Sequence, residues 1–346
     1  MDSLKYILRV ICRGVMIFSI LLHLASCEST LFIDLEESEK LIVVNGTISS
    51  DSTVAVQVSR TRHILDNAPV VPLEHATVRL LQDGSLVQEL VYSFNGYYRS
   101  AGFMPAVGPT YTLEVENPGF PPVSASCEIP EPVPILSLDT VTVSREEDFG
   151  YGAFTENLLQ FDLTLSDPPG EDNYYLLYAM ADRSWTEWRD TTVRIVDSLY
   201  YGGQWNYFPK DSTYTIFDIH RFTGNAGIVT EDLVVEARTS HGVLFSDQVI
   251  DGKTYSFRGE IYQDQLRAAD SAVLDFRLLS ISESYYKYLK TRQQHYDTKE
   301  NYLAVPVIVY SNVESGTGFF GGYSTDEHTI TTFVPEYYWD YRYSNW

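Results

Sequence analysis

The chain is 346 residues long and carries 47 acidic against 24 basic side chains, a formal net charge of −23. A field of that sign repels nucleic acid and anionic lipid headgroups; it permits a cation or a basic peptide as partner and proves neither. The charges are scattered among strands and turns, as on a solvated surface. With 3 cysteines, two of them within the first residues, no disulfide framework exists, so stability must come from burial, and the length suffices for one or two cores.

Lys5, Arg9 and Arg13 precede the apolar run Val15 to Leu24, the pattern of an export signal, and that run is too short for a stable bilayer span. It ends in Leu24-Ala25-Ser26-Cys27, where small residues before a cysteine suit lipoprotein processing and the Cys27 thiol is the acceptor for diacylglycerol. Each buried methylene of the acyl chains contributes about 0.8 kcal/mol, so residues 1–26 read as a signal peptide and the mature chain as tethered through Cys27. Residues 27–40, with Asp34, Glu36, Glu37 and Glu39, read as an acidic tether.

From Leu41 the pattern becomes β. Val54, Val56 and Val58 alternate with Thr53, Ala55 and Gln57, and Tyr111, Leu113 and Val115 alternate with Thr112, Glu114 and Glu116, the period of half-buried strands. Asp83-Gly84 and Asn95-Gly96 tolerate positive φ and so predict tight hairpins. About seven short strands ending near Ile129 predict an immunoglobulin-like sandwich over 41–130, expected to fold without the rest, with Cys127 a small buried strand residue. Pro130, Pro132 and Pro134 at alternate positions deny ladder donors and mark a stiff connector, placing a domain boundary there.

The remainder, 131–346, predicts a larger, aromatic-rich antiparallel β domain. Leu158 to Leu165, Tyr174 to Met180, Asp232 to Ala237, Lys253 to Tyr262, Ala272 to Ile281 and Ala304 to Val309 read as strands, with Asp167-Pro168-Pro169-Gly170 and Asp251-Gly252 as turns. One helix is expected over about 282–296, capped by Ser282, with Tyr285, Leu289 and Arg292 on one side. The strand rhythm breaks over about 182–222, an aromatic insertion read either as a surface loop system that binds something or as a lid over a sheet end. The fold class expected is mainly β.

Several pieces together resemble a known family. They are Leu41-Ile42-Val43-Val44-Asn45-Gly46 with Ile48, Val56-Gln57-Val58-Ser59-Arg60-Thr61-Arg62, His75-Ala76-Thr77-Val78-Arg79-Leu80, and Tyr111-Thr112-Leu113-Glu114-Val115 with Pro118-Gly119-Phe120. Ser284-Tyr285-Tyr286-Lys287-Tyr288-Leu289 and Pro306-Val307-Ile308-Val309-Tyr310-Ser311-Asn312-Val313 continue the series. In order and spacing, over nearly the whole mature chain, they resemble the Bacteroidota lipoproteins catalogued as domain of unknown function 4249. The resemblance implies a lipid-anchored outer-membrane protein, surface-exposed rather than facing the periplasm, beside a TonB-dependent receptor; it carries no catalytic residues.

Motifs that suggest chemistry fail their context tests. Gly316-Thr317-Gly318-Phe319-Phe320-Gly321 has the glycine spacing of a dinucleotide fingerprint without the helix that must follow, and is better read as a close approach of two backbones. Ser284-Tyr285-Tyr286-Lys287 has the serine–lysine spacing of penicillin-recognising enzymes but lacks the partner motifs. His63, His75, His220, His241, His295 and His328 show no zinc spacing, and the adjacent acids Glu146-Glu147-Asp148 and Asp326-Glu327 read as solvated. No enzyme, metal or cofactor is therefore expected. The aromatics carry the functional hint: Trp185, Trp188, Tyr200, Tyr201, Trp205 and Tyr207 as a binding rim, and Tyr337, Tyr338, Trp339 and Tyr341 as an interface tail or, alternatively, rings that fill the second core. The reading is a ligand- or partner-binding accessory module; the alternatives are a structural or adhesive envelope component and a hydrolase with a non-contiguous site.

Overall fold

The computed structural model describes residues 39–63, 66, 69–148, 153–201, 204–262, 271–299, 301 and 303–332, with the backbone alone at 147–148, 153–156, 185–201, 205–220, 271 and 332. The export segment, Cys27, and Tyr337, Tyr338, Trp339 and Tyr341 lie outside the described residues.

Strands β1 (Ile42–Ile48), β2 (Ala55–Arg60), β3 (Val71–Pro72), β4 (Thr77–Gln82), β5 (Ser85–Tyr92), β6 (Tyr97–Arg99), β7 (Thr110–Glu116) and β8 (Val123–Glu128) build the first half. Burial alternates strictly along β1 and β7, as period-two patterning requires. Asp83 and Gly84 adopt φ of 49° and 76°, and Asn95 and Gly96 48° and 79°, so both expected hairpins turn with two consecutive left-handed residues. Ile42, Val44, Val56 and Val58 meet Val78, Leu80, Leu113 and Val115 in one core, with Cys127 buried beside them. Burial raises the Cys127 thiol pKa well above its ordinary value, which keeps it protonated and inert.

The second half comprises β9 (Ile135–Asp148), β10 (Ala153–Ser166), β11 (Tyr174–Tyr201), β12 (Gln204–Asn225), β13 (Val235–Arg238), β14 (Val243–Ser246), β15 (Thr254–Tyr262), β16 (Ser271–Ile281), α1 (Glu283–Thr298) and β17 (Thr317–Thr332). The sheet β15-β10-β9 packs against β14, β11 and β16 through Phe161, Leu163, Phe257, Tyr175, Phe245 and Phe276. The face of β14, β11 and β16 turned away from that three-stranded sheet takes α1, whose Tyr286 and Leu289 pack on Leu176, Leu244, Leu279 and Ile281. Ser282 caps α1 as expected, its hydroxyl accepting from the Tyr285 N–H.

β17 joins the two halves. Its first part runs parallel to β1, from Val43↔Thr317 to Ile48↔Gly322, and its second part antiparallel to β16, from Ile281↔Tyr323 to Ala272↔Thr332. A 14-stranded sheet results, and the first core takes in Val313 and Phe320 from this distant segment. The Leu41–Ile129 stretch therefore shares an edge and part of its core with residues more than 180 positions away in the chain, as the Ser124–Glu314 contact at a separation of 190 also shows.

Two expectations are corrected. Ala304 to Val309 is not a strand: Pro306 lacks a ladder donor, and the segment is held instead by the His295 Nδ1–H donating to the Val307 carbonyl at 2.8 Å and the Tyr310 N–H donating to Thr291 Oγ1 at 2.8 Å. The insertion expected as a loop system over 182–222 is regular strand at its described residues, the outer length of the β11–β12 hairpin. Among the described residues no helix is long and apolar enough to cross a membrane.

Candidate functional site

Up to Ser184, β11 is flanked by β16, which pairs with it from Tyr174↔Ile281 to Ser184↔Ser271. Among the described residues β12 pairs only with β11, in unbroken register from Met180↔Asn225 to Tyr201↔Gln204. From Trp185↔His220 outward the two strands are thus a two-stranded ribbon whose edges pair with no other strand among the described residues, roughly 55 Å long at about 3.3 Å per residue. Its root is fixed: Ala226 donates to the Ala179 carbonyl at 2.8 Å, and the Arg183 guanidinium lies over the Phe222 ring at 4.9 Å.

The register sorts the expected rim into two places. Trp185 and Trp188 stand near the root, opposite His220 and Phe217, whereas Tyr200 faces Trp205, Tyr201 faces Gln204 and Tyr207 faces Ser198 at the tip. Trp188 and Tyr200 are separated by roughly 40 Å of strand. The six aromatics therefore do not converge on one spot, and they distribute over the ribbon's length.

A second feature lies at the junction of the two cores. A cleft of ≈790 Å³ opens between the end of β8 with Glu128 to Glu131, the β10–β11 turn from Pro168 to Tyr174, the start of α1, and Tyr310 with Asn312. That volume is in the range of ligand sites, which favour such junctions. Its walls carry Glu128, Glu131, Glu171, Asp172 and Glu283, with no lysine, arginine or histidine. No sequence signal marked it, because five separate segments contribute.

Three aspartates also converge. Carboxylate oxygens of Asp167, Asp247 and Asp251 lie within 4.8 Å of one another, the only such group of possible metal ligands among the described residues. Each is engaged as a turn acceptor: Asp167 from the Tyr175 hydroxyl and the Gly252 N–H, Asp247 from the Asn173 N–H at 2.8 Å, and Asp251 from the Gly170 N–H at 2.9 Å. The two turns read from sequence are clamped together this way. Burial raises the Asp167 carboxyl above its ordinary value, and the hydrogen bonds from Tyr175 and Gly252 work against that rise.

Glu236 ties α1 to β13 and β14, accepting from Lys290 Nζ, the Tyr286 hydroxyl and the Ser246 hydroxyl. Burial alone would raise its carboxyl, but these donors outweigh burial and hold it below the ordinary glutamate value. A carboxyl lowered in the folded state contributes stability that is present above its unfolded pKa and lost as pH falls through its folded value. Glu236→Gln is accordingly expected to cost about 2 kcal/mol near neutrality, with the difference from wild type shrinking below about pH 4.3. Urea titrations at stepped pH measure it; a difference that stays constant down to about pH 3 contradicts the assignment.

The chemical motifs resolve into structural roles. Gly318 has φ +111°, and a Cβ there would stand 1.9 Å from the Val44 carbonyl oxygen, so the glycine run is the close approach of β17 to β1. The Ser284 hydroxyl donates to the Phe320 carbonyl at 3.2 Å while Lys287 pairs with Glu283 at 2.8 Å, so serine and lysine have separate partners. Asp326 accepts from the Ile135 N–H at 2.7 Å and Glu327 faces Arg277 at 3.6 Å, which divides that acidic pair. No histidine joins the one metal-like group among the described residues.

The model of a family described as Domain of unknown function (DUF4249) matches residues 28–329. No curated protein matches the chain. Among solved structures, the Clostridium perfringens NetB toxin in the membrane-inserted form aligns over 74% of this chain and 94% of its own at 6% identity and a TM-score of 0.14, too low to carry an argument.

Proposed function

The chain belongs to the family described as Domain of unknown function (DUF4249), and we propose that it serves as an outer-membrane lipoprotein whose β11–β12 ribbon docks a partner beside a TonB-dependent transporter. The observation that carries this reading is the ribbon: two strands that leave their sheet at Ser184 and continue, among the described residues paired only with each other, to Tyr201. An isolated two-stranded ribbon is marginally stable in water, and its free edges are templates for further strands. A partner that lies along it completes those edges and receives its aromatic residues. Tryptophan and tyrosine dominate interface energetics, which is why Trp185, Trp188, Tyr200, Tyr201, Trp205 and Tyr207 belong to the proposed contact. The address rests on Leu24-Ala25-Ser26-Cys27 and the apolar run before it.

One co-purification experiment from native membranes tests both parts. Cys27→Ser is expected to release the chain into the soluble fraction, since a single thiol carries the anchor. Replacing 186–219 by an Asn-Gly turn is expected to leave the chain on the membrane, folded, and without its transporter band. Trp205→Ala is the finer version, expected to weaken capture by about 2 kcal/mol or more with the melting transition unmoved. A transporter retained by the ribbon-less chain sinks the docking role, and no transporter with the intact chain favours an adhesive or structural component.

A further inference from the structure

We propose that the cavity at the root of the ribbon binds a small dicarboxylate through the guanidinium groups of Arg238 and Arg183. This inference goes beyond the docking role and does not depend on it.

The cavity, of ≈470 Å³, lies where β12 and the β13–β14 hairpin meet along one edge of β11. The inward-facing residues of β11 run Tyr175, Leu177, Ala179 and Ala181, all in the second core, and the next alternate position is Arg183. The apolar row thus ends in a guanidinium that lines the cavity. Its place is fixed, since it lies over the Phe222 ring at 4.9 Å and its Nε is buried. A Cβ on Gly224 would stand 2.8 Å from that ring and 3.5 Å from Arg183 Nη2, so the missing side chain there makes room for both. Arg238 reaches the same cavity from β13. Its Nη2 donates to the Thr230 carbonyl, and it has no ion pair among the described residues, although acidic side chains outnumber basic ones by 47 to 24. Most of its N–H donors stay available.

The walls are built to stay open. Asn225 Nδ2 donates to the His241 carbonyl at 2.8 Å while its Oδ1 accepts from the Gly227 N–H at 2.7 Å, which ties the end of β12 to the β13–β14 turn. Thr239 Oγ1 accepts from the Gly242 N–H at 3.1 Å inside that turn. A Cβ on Gly242 would stand 2.3 Å from the Leu177 oxygen, so the turn is pressed onto β11. Thr230, 4% exposed, is held in turn by its hydroxyl donating to the Arg258 carbonyl at 2.6 Å, and this sets the carbonyl that orients Arg238. Neither aspartate nor glutamate is among the described residues that line the cavity. A guanidinium presents a planar fork of donors that matches a carboxylate with two parallel hydrogen bonds. Two forks on separate elements match a molecule with a carboxylate at each end, and the volume is that of a small-molecule site. The net charge of −23 repels anions everywhere else, so an anion that binds this chain does so at a local concentration of cations.

The test is a calorimetric titration of the full chain, at about 150 mM salt, with the series of α,ω-dicarboxylates from malonate to adipate, which spans the separations two forks can bridge. At least one member is expected to bind saturably, one molecule per chain, and glutaramide, which has the shape of glutarate without its charge, is expected not to bind. Arg238→Gln should weaken the tightest member about ten-fold, the loss of one charge-assisted pair. Arg183→Lys, which keeps a cation over the Phe222 ring but loses the fork, should weaken it about three-fold or more. Arg99→Gln, at an exposed cation of the first half, should change it less than about two-fold. Arg238 is exposed, so the melting transition of its variant is expected to stay unmoved. Saturable binding by no member of the series overturns the proposal. So does glutaramide binding as well as glutarate, inorganic sulfate binding more tightly than any dicarboxylate, or equal weakening by Arg238→Gln and Arg99→Gln.

Discussion

Gly318→Ala is expected to destabilise the chain by about 3 kcal/mol or more, because the residue combines two constraints that reinforce each other. Its φ of +111° is a conformation that side chains rarely adopt, and the added Cβ would stand 1.9 Å from the Val44 oxygen, 2.8 Å from its carbonyl carbon and 3.0 Å from its nitrogen. All three atoms are backbone of β1, so no rotamer change relieves the clash. The ladder between β1 and β17 must open, and with it the contact that brings Phe320 into the first core. Gly84→Ala is the matched control: φ is +76° with nothing within 4 Å, and only the left-handed strain of about 1–2 kcal/mol is expected. Urea unfolding of the two variants makes the comparison, and a Gly318→Ala chain within about 1 kcal/mol of wild type would show that β17 is not the strap between the halves.

Phe276→Ala is expected to cost about 3–5 kcal/mol. The ring is fully buried in the second core, edge-on to Phe161 with centroids 4.7 Å apart. Sheets on both sides, each held by continuous ladders, limit how far the cavity can collapse, so the upper part of that range applies. Leu303→Ala, at a residue 96% exposed, is expected to lie within about 0.5 kcal/mol of wild type. Thermal melts of the pair read the contrast, and equal effects would place Phe276 outside the core.

Local signals in this sequence were legible wherever short-range chemistry decides. The Asp83-Gly84 and Asn95-Gly96 turns, the alternation of β1 and β7, and the Ser282 cap each depend on neighbours only a few residues away. What escaped depends on partners far along the chain. β17 is shared between β1 and β16, and nothing in its own residues states that it must change partner between Gly322 and Tyr323. Its glycines did record a close approach, yet their spacing imitates a nucleotide fingerprint until the neighbouring strand is known. The outer part of β11 and β12 lost its alternating pattern because that length packs on no further strand, and a missing alternation reads as loop. Ala304 to Val309 shows the reverse: its β-branched residues read as strand, but Pro306 and the anchors on α1 leave the segment outside the described sheets. Neither the cleft nor the aspartate clamp was visible, since Asp167 and Asp247 stand 80 positions apart and only the turn geometry unites them with Asp251.

Amide hydrogen exchange over 186–219 tests directly whether the ribbon is an arm completed by a partner. In the purified chain the free edges and two-stranded pairing predict exchange near the rate of local opening, far faster than in β10 or β16. In native membranes, with the partner present, the same amides are predicted to slow by about a hundred-fold or more while β10 and β16 stay unchanged. Exchange over 186–219 that is equally slow in both preparations would mean that the ribbon is self-sufficient, and equally fast exchange in both would mean that nothing docks along it.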